Sequence, residues 1–399
     1  MSDAEGDDTR TGADVAAPNG RDLRISVFGR TDVGLIREHN EDNFLVANLD
    51  DGFRTHEMDA PLVFGLGDKG AVFLVCDGMG GAAAGEVASL MAVDSISSSM
   101  ASYSPSSRDD FARGLRRAVE DANDRIYAQS RDNQSERGMG TTCTVAALRD
   151  ASLVIGQIGD SRCYVLRQGR LAQVTKDQSL AWQLIEAGAM TPEEAKQFEH
   201  ANIILQALGV QERVDVVLSQ VSLRQGDVVL LSSDGLHGPV GDDEILEILR
   251  NEPEIKKAAD ALIARALEHE GPDNVTVVLF KAEGGALAEA TASDLVEFVP
   301  CDPGRSPGDR AELPEKATQE VTVPREFISM TSDAGLKTLQ DIPVPREGNA
   351  ADESSRSVVT FVVLVLLAAV GAGLFLHFDR ARTLEQEQLG AHPSTSNVP

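Results

Sequence analysis

Val72-Phe73-Leu74-Val75-Cys76-Asp77-Gly78 is an apolar run that stops on an acidic residue and a glycine. Its β-branched and aromatic content predicts a buried strand, with the Asp-Gly pair marking the turn at its end. Similar placements recur along the chain. Residues 153–159 end in Asp160-Ser161, residues 228–233 end in Asp234-Gly235, and Asp273-Asn274 opens the run 275–280. Further β-like runs fall at 23–28, 142–148, 163–167 and 214–218. Several follow one another with only turn residues between, which favours antiparallel meanders over parallel crossovers.

Helical periodicity occurs in three places. Phe111, Leu115, Ala118, Val119, Ala122 and Ile126 form one stripe, and Ile245, Leu246, Ile248 and Leu249 a second. The third runs through Ile255, Ala258, Ala259, Leu262, Ile263 and Ala266. Helices packed on antiparallel sheets predict an α+β layered domain over 21–282.

Each Asp-Gly pair alone suits a hairpin turn. Four acidic residues at strand ends of one domain can instead converge on a cleft. Their charges would repel unless a cation compensated them, and the guests that suit such oxygen ligands are Mg²⁺ or Mn²⁺. A second segment, Asp32-Val33-Gly34-Leu35-Ile36-Arg37-Glu38-His39-Asn40-Glu41-Asp42-Asn43, sets Arg37 four residues before Glu41-Asp42. A guanidinium fork matches a phosphate oxyanion, and adjacent carboxylates can hold a metal and its water. A surface ion-pair network accounts for this segment equally well.

The bulk numbers agree with such a site. The 399 residues suffice for one large domain or two smaller ones. With 64 acidic and 36 basic residues the formal charge is −28, which repels phosphate backbones and argues against nucleic acid as a partner. The charge suits cation binding, although solubility alone also explains it. The four cysteines (Cys76, Cys143, Cys163, Cys301) form no CxxC pair or Cys/His cluster, so neither a zinc site nor a disulfide framework is expected.

Residues 1–20 are polar and acidic, and are expected to be disordered. They lack the apolar core of a signal peptide, which predicts a cytoplasmic folded domain. From 283 to 356 the chain is rich in Glu, Pro and Ser and reads as a flexible acidic linker, in which Val-Pro-Arg-Glu occurs at 323–326 and 344–347. Residues 358–378 carry no Asp, Glu, Lys or Arg, and a transmembrane helix is expected over 357–378. Residues 379–399 would then form a short extracytoplasmic tail, and the protein would be a single-pass membrane protein.

Six segments occur in the order seen in the metal-dependent protein phosphatases, the PPM or type 2C family. They are Arg37-Glu38-His39-Asn40-Glu41-Asp42, Val75-Cys76-Asp77-Gly78-Met79-Gly80-Gly81, Gly140-Thr141-Thr142, Gly159-Asp160-Ser161-Arg162, Ser232-Ser233-Asp234-Gly235-Leu236 and Asp273-Asn274-Val275-Thr276. The chain resembles the bacterial branch of that family over nearly all of 21–282. The resemblance implies two antiparallel β-sheets packed as a sandwich and flanked by antiparallel helices. It implies hydrolysis of phosphoserine and phosphothreonine on proteins by water held between two Mn²⁺ or Mg²⁺ ions. In that frame Asp77 bridges the two metals and Gly78 lends its carbonyl to one. Asp234 and Asp273 are implied ligands of the first metal and Glu41 of the second, with Asp42 orienting the water. Asp160, with Asp234, would hold a weaker third ion, and Arg37 would clamp the phosphate. The expected partners are phosphoproteins, including a Ser/Thr kinase and its substrates.

Two positions depart from the pattern. Met79 stands where many members have a His proposed as the general acid, and Gln178 stands where bacterial relatives often have His. Residues 179–209 resemble the variable flap beside the cleft, and 48–69 carry an extra loop. Other motifs compete poorly. Cys143 and Arg149 have C-x5-R spacing but enclose a strand-like segment without glycine, and Gly65-x-Gly67-x-x-Gly70 precedes a strand instead of joining strand to helix. The alternative of another kind is a catalytically silent, phosphatase-like binding module at the membrane, which loss of a metal carboxylate would signal. Glu41, Asp42, Asp77, Asp234 and Asp273 are all present.

Overall fold

The computed structural model describes residues 23–81, 84–195, 198, 200, 203–304 and 337–338. The chain divides into two units, Met1–Ile342 and Pro343–Pro399, and all described residues belong to the first. The polar segment 1–20, most of the acidic linker, the apolar segment 357–378 and the tail 379–399 lie outside the described residues. Among the described residues, no helix is long and apolar enough to cross a membrane.

Two six-stranded antiparallel sheets carry the fold. The first has the order Arg170–Gln173, Arg162–Arg167, Val228–Ser232, Val275–Glu283, Arg24–Asp32, Leu62–Gly65. The second has the order Val217–Ser222, Ser152–Ile158, Cys143–Arg149, Ala71–Cys76, Asn43–Asn48, Arg54–Thr55. Alternation along each central strand explains how they stack. In Val275–Glu283, Val278, Phe280 and Ala282 meet the other sheet, while Val275, Val277 and Leu279 meet helices. In Ala71–Cys76, Ala71, Phe73 and Val75 face the first sheet, and Val72, Leu74 and Cys76 face outward to helices. Both faces are thus buried, which is why these strands read as continuous apolar runs. Phe73 and Phe280 stack at 4.0 Å between ring centroids and mark the centre of the sandwich.

The three helical stripes lie where expected, on Arg108–Asp132, Asp242–Asn251 and Ile255–Glu268. The last two cover the first sheet. Arg108–Asp132 starts at Ser107, whose side chain accepts from the Asp110 amide. It covers the second sheet beside Ala84–Ser102, a helix whose large buried side chains, Val93, Ile96 and Met100, are confined to its second half. That helix buries Ala84, Gly85, Ala88, Ser89, Ala92 and Ser97, small residues that let its backbone lie close to the sheet.

The packed domain extends past the linker boundary read from composition. Glu283 is still within the last strand, and Leu287 is buried in the inter-sheet core. Val299 accepts from the Gln220 amide (3.0 Å), and the Cys301 amide donates to Leu218 (2.9 Å). Residues 299–301 thereby satisfy the open edge of strand Val217–Ser222. Asp302 and Pro303 are held by Arg116 and Arg113 of the neighbouring helix. This edge pairing, invisible in composition, is the reason the chain stays packed to residue 304.

Candidate active site

Strand register brings the acidic residues to one end of the sandwich. Asn43 pairs with Cys76, so Asp42 and Asp77 leave their strands side by side. Asp32 pairs with Val275, so the loop 33–41 and Asp273 leave together. Arg162 pairs with Ser232, which puts Asp160 and Asp234 at the same end. None of these acidic residues is a simple hairpin turn. A Cβ at Gly78 would overlap backbone of Gly85 and Glu41, and one at Gly235 would overlap the Asn274 carbonyl. The glycines permit close approach of segments distant in sequence.

Asp42, Asp77, Glu41 and Asp273 are held in place by neighbouring residues. Asp42 Oδ2 accepts from Ser233 Oγ and Thr276 Oγ1, both at 2.7 Å. The Asp77 amide donates to Thr142 Oγ1 (2.9 Å), while its carbonyl accepts from the Thr142 amide (2.8 Å) and Thr141 Oγ1 (2.9 Å). Glu41 lies against helix Ala84–Ser102. Its carbonyl accepts from Ser89 Oγ at 2.6 Å, and its carboxylate fills the place a Cβ on Gly85 would take. Arg37 Nη2 donates to Asp273 Oδ2 at 2.7 Å. The guanidinium expected to clamp phosphate therefore lies directly on a carboxylate expected to bind metal.

Burial and mutual repulsion shape the protonation of this group. Burial, together with the charges of Asp234 and Asp273, pushes Asp42 up to about 7, although Thr276 and Ser233 pull the other way. Burial and Asp273 push Asp234 to about 6, partly offset by a hydrogen bond with Asp77. Asp77 rises well above the ordinary range through burial and the charges of Asp42, Asp234, Asp273 and Asp160. Asp160 rises likewise through burial, Asp234 and Asp177. Glu41 is raised by burial, with Arg37 opposing. Burial would lower Arg37, but its hydrogen bond and charge contact with Asp273 outweigh this and raise it.

The residues fit a divalent cation. Asp42 Oδ1, Asp160 Oδ1 and Asp234 Oδ1 are buried without a hydrogen-bond partner, an arrangement costly for carboxylates unless protons or cations compensate it. All the donors are oxygen, as Mg²⁺ and Mn²⁺ prefer. Among the described residues, no group of three or more His, Cys, Asp or Glu side chains is set to hold an ion as it stands. Hydroxyls engage Asp42 and Arg37 engages Asp273 instead.

Several residues with no role assigned from sequence belong to the site. Asn274 is a clasp: its Oδ1 accepts from the Glu41 amide (2.8 Å), and its Nδ2 donates to the carbonyls of Val33 and His39 (both 2.9 Å). It joins the whole loop 33–41 to Asp273. Thr141, Thr142, Ser233 and Thr276 are the hydroxyl supports named above. Arg162 forms a fork with Asp177, donating from Nη2 at 2.7 Å and from Nε at 3.0 Å, and its charge opposes the rise of Asp160. The signal in sequence was adjacency to the acidic residues, but the partners lie up to 241 positions away.

The two departures have structural jobs. Met79 is buried with Ile204, Ala207 and Val210, so it anchors the base of the flap. Gln178 Oε1 accepts from the Gly159 amide at 2.8 Å, and Leu205 N donates to the Gln178 carbonyl at 2.8 Å. The rival motifs dissolve as well. Cys143–Arg149 is a strand, and Arg149 Nε is spent on the Asp68 carbonyl. Amides of Gly67, Lys69 and Gly70 donate to the carboxylate of Asp50, which fills the nest a phosphate would need.

Two antiparallel sheets between helix pairs, with buried carboxylates and an arginine at one end, define a metal-dependent phosphate-ester hydrolase of the PPM class. The chain belongs to the protein phosphatase 2C family, whose model matches residues 56–279. It is 35% identical over 255 residues to a serine/threonine phosphatase stp of Listeria monocytogenes, covering 64% of this chain and 94% of that protein. The crystal structure of the Mycobacterium tuberculosis serine/threonine phosphatase PstP/Ppp superposes with a TM-score of 0.56 at 36% identity, covering 65% of this chain and 99% of that one. The PstP catalytic domain in complex with two manganese ions gives 0.54 at 35% identity, covering 65% and 99%. Like its family, the chain is a metal-dependent serine/threonine phosphatase, and its cofactors are Mn²⁺ or Mg²⁺.

Proposed function

We propose that the cleft at this end of the sandwich is the catalytic centre, with Asp77, Glu41, Asp234, Asp273 and the Gly78 carbonyl holding two divalent ions. Asp160 with Asp234 would hold a weaker third. When bound, the ions offset charge on the phosphoryl oxygens and supply a nucleophile from water at neutral pH. Arg37 receives the phosphate, for which its fork geometry is suited. Asp42, fixed through Oδ2, keeps Oδ1 free to orient water. Asn274 holds Arg37 and Glu41 in register with Asp273.

The single observation that carries this reading is the buried set of carboxylate oxygens without protein partners beside Arg37. It is tested with full-length protein by hydrolysis of p-nitrophenyl phosphate in Mn²⁺. Activity is expected to depend on the metal and to fall at least ~1000-fold in Asp77→Asn. Equal inertness of both proteins across Mn²⁺ and Mg²⁺ would replace the enzyme with a phosphoprotein-binding module.

The substrates in this reading are phosphoproteins, including a Ser/Thr kinase and its targets. The uncharged run 358–378 would anchor the chain as a single-pass membrane protein with the phosphatase domain in the cytoplasm. Membrane fractionation of the full chain beside a chain ending at 356 tests this. Equal recovery of both in the soluble fraction would dismiss the anchor.

A further inference from the structure

We propose that Leu35 and Ile36 form an apolar shelf selecting phosphoproteins with an aliphatic side chain next to the phosphorylated residue, which rests on the phosphatase reading of this cleft. Eight large hydrophobic side chains are exposed among the described residues, and three of them (Val33, Leu35, Ile36) fall in this one turn. Leu35 is 64% and Ile36 67% exposed. Single exposed apolar residues are ordinary on a protein surface. Three in the short stretch that ends on the phosphate-binding arginine are a patch with a position.

The turn is held in place, not loose. The Val33 carbonyl accepts from Asn274 Nδ2 at 2.9 Å, the Leu35 amide donates to Gly271 at 2.9 Å, and the Gly34 amide donates to Asp32 Oδ1 at 3.0 Å. Gly34 has φ +78° and lies where a Cβ would overlap the Asp273 carbonyl. The shelf therefore keeps a fixed place relative to Arg37. A peptide whose phosphate reaches Arg37 has its next residue only ~3.8 Å further along the chain, so a flanking residue passes over the adjoining turn. An aliphatic side chain there covers Leu35 and Ile36 and removes apolar surface from water. A charged or small polar one leaves that surface wet. The shelf is continuous with the phosphate site, which makes the substrate itself its occupant, in preference to a second copy of the chain.

The test uses full-length protein in Mn²⁺ with two phosphothreonine peptides of equal length and charge, one flanked by Leu and one by Ser. Wild type is expected to favour the Leu peptide in kcat/KM by about fivefold, as for partial burial of one aliphatic side chain. Leu35→Ser/Ile36→Ser is expected to bring the two peptides to equal turnover. Ile36→Ser alone, which leaves the Leu35 side chain in place, is expected to shrink the preference. Equal turnover of both peptides by wild type, or an undiminished preference in the variants, overturns the inference. So does a dimer that dissociates in the double variant without any peptide preference in wild type. Hydrolysis of p-nitrophenyl phosphate, which has no flanking residue, separates the two readings. Its absence in wild type overturns the phosphatase assignment and the inference together, whereas its presence with equal peptide turnover overturns the inference alone.

Discussion

The acidic cleft and the flap beside it are built on opposite terms. In the cleft, Asp42 and Asp77 are backed by two or more hydrogen bonds, and the supporting Thr141, Thr142, Ser233 and Thr276 are buried. In the flap, Leu180–Glu186 buries only Ala181, and Pro192–Ala195 buries nothing. The flap is fixed at its base, by Met79 with Ile204, Ala207 and Val210 and by the pairing of Thr141 with Leu208. Rigidity is thus concentrated where charges must be placed, and the neighbouring surface is left free to vary.

The sharpest way to break this contrast is Asn274→Ala. It strips the Glu41 amide and two carbonyls of their partner at about 1 kcal/mol each, so kcat/KM should fall by about 100-fold. A change below about threefold would mean that the loop 33–41 holds itself. Next in size is a pH effect on chelated protein. The carboxylates of Asp42 and Asp234 are raised, to about 7 and about 6. The folded state then holds protons that the unfolded chain releases near pH 4, so stability is full below that pH and is lost as pH rises through 6 to 7. The Tm in EDTA should drop by about 5 °C or more from pH 5 to pH 8, and Mn²⁺ should restore it. A flat profile would show that the cluster is not strained by its own charge.

Arg37→Ala should raise KM by about tenfold and leave kcat less affected, because the phosphate contact exists in ground and transition states alike. The same change frees Asp273, so the Mn²⁺ concentration giving half-maximal rate should not rise. An unchanged KM would remove Arg37 from phosphate binding. Met79→Ala loosens the flap base, and should lower kcat/KM for a phosphoprotein about fivefold while sparing p-nitrophenyl phosphate. Equal losses on both substrates would place Met79 with the cleft. Smallest is Thr191→Ala. It removes an exposed cap whose hydroxyl accepts from the Glu194 amide, and should leave aryl phosphate turnover within about twofold.

Much of this contrast was legible in the chain itself, for reasons specific to each element. The strands Ala71–Cys76, Val228–Ser232 and Val275–Glu283 are buried on both faces, so they stand out as unbroken apolar runs. The acidic residues at their ends followed directly. Strand Asn43–Asn48 and helix Ala84–Ser102 were not foreseen. The first hides behind the polar segment that carries Glu41 and Asp42. The second packs its first turns through alanine, glycine and serine, and its large buried side chains (Val93, Ile96, Met100) come only in its second half, so the apolar stripe is short. Asn274 could be seen as a neighbour of Asp273, but its bonds to Val33 and His39 close a loop over most of the domain. Met79 was noticed for the proton it cannot give, and only packing revealed what it does.

The strip 299–301 along the outer strand Val217–Ser222 has a practical bearing on how this enzyme is handled. A fragment cut at 282, where the composition changes, would leave the amide of Gln220 and the carbonyl of Leu218 facing solvent on an otherwise intact sheet. Such a bare margin is a template for strand addition between molecules, and the fragment should clump at concentrations where one ending at 304 stays dispersed.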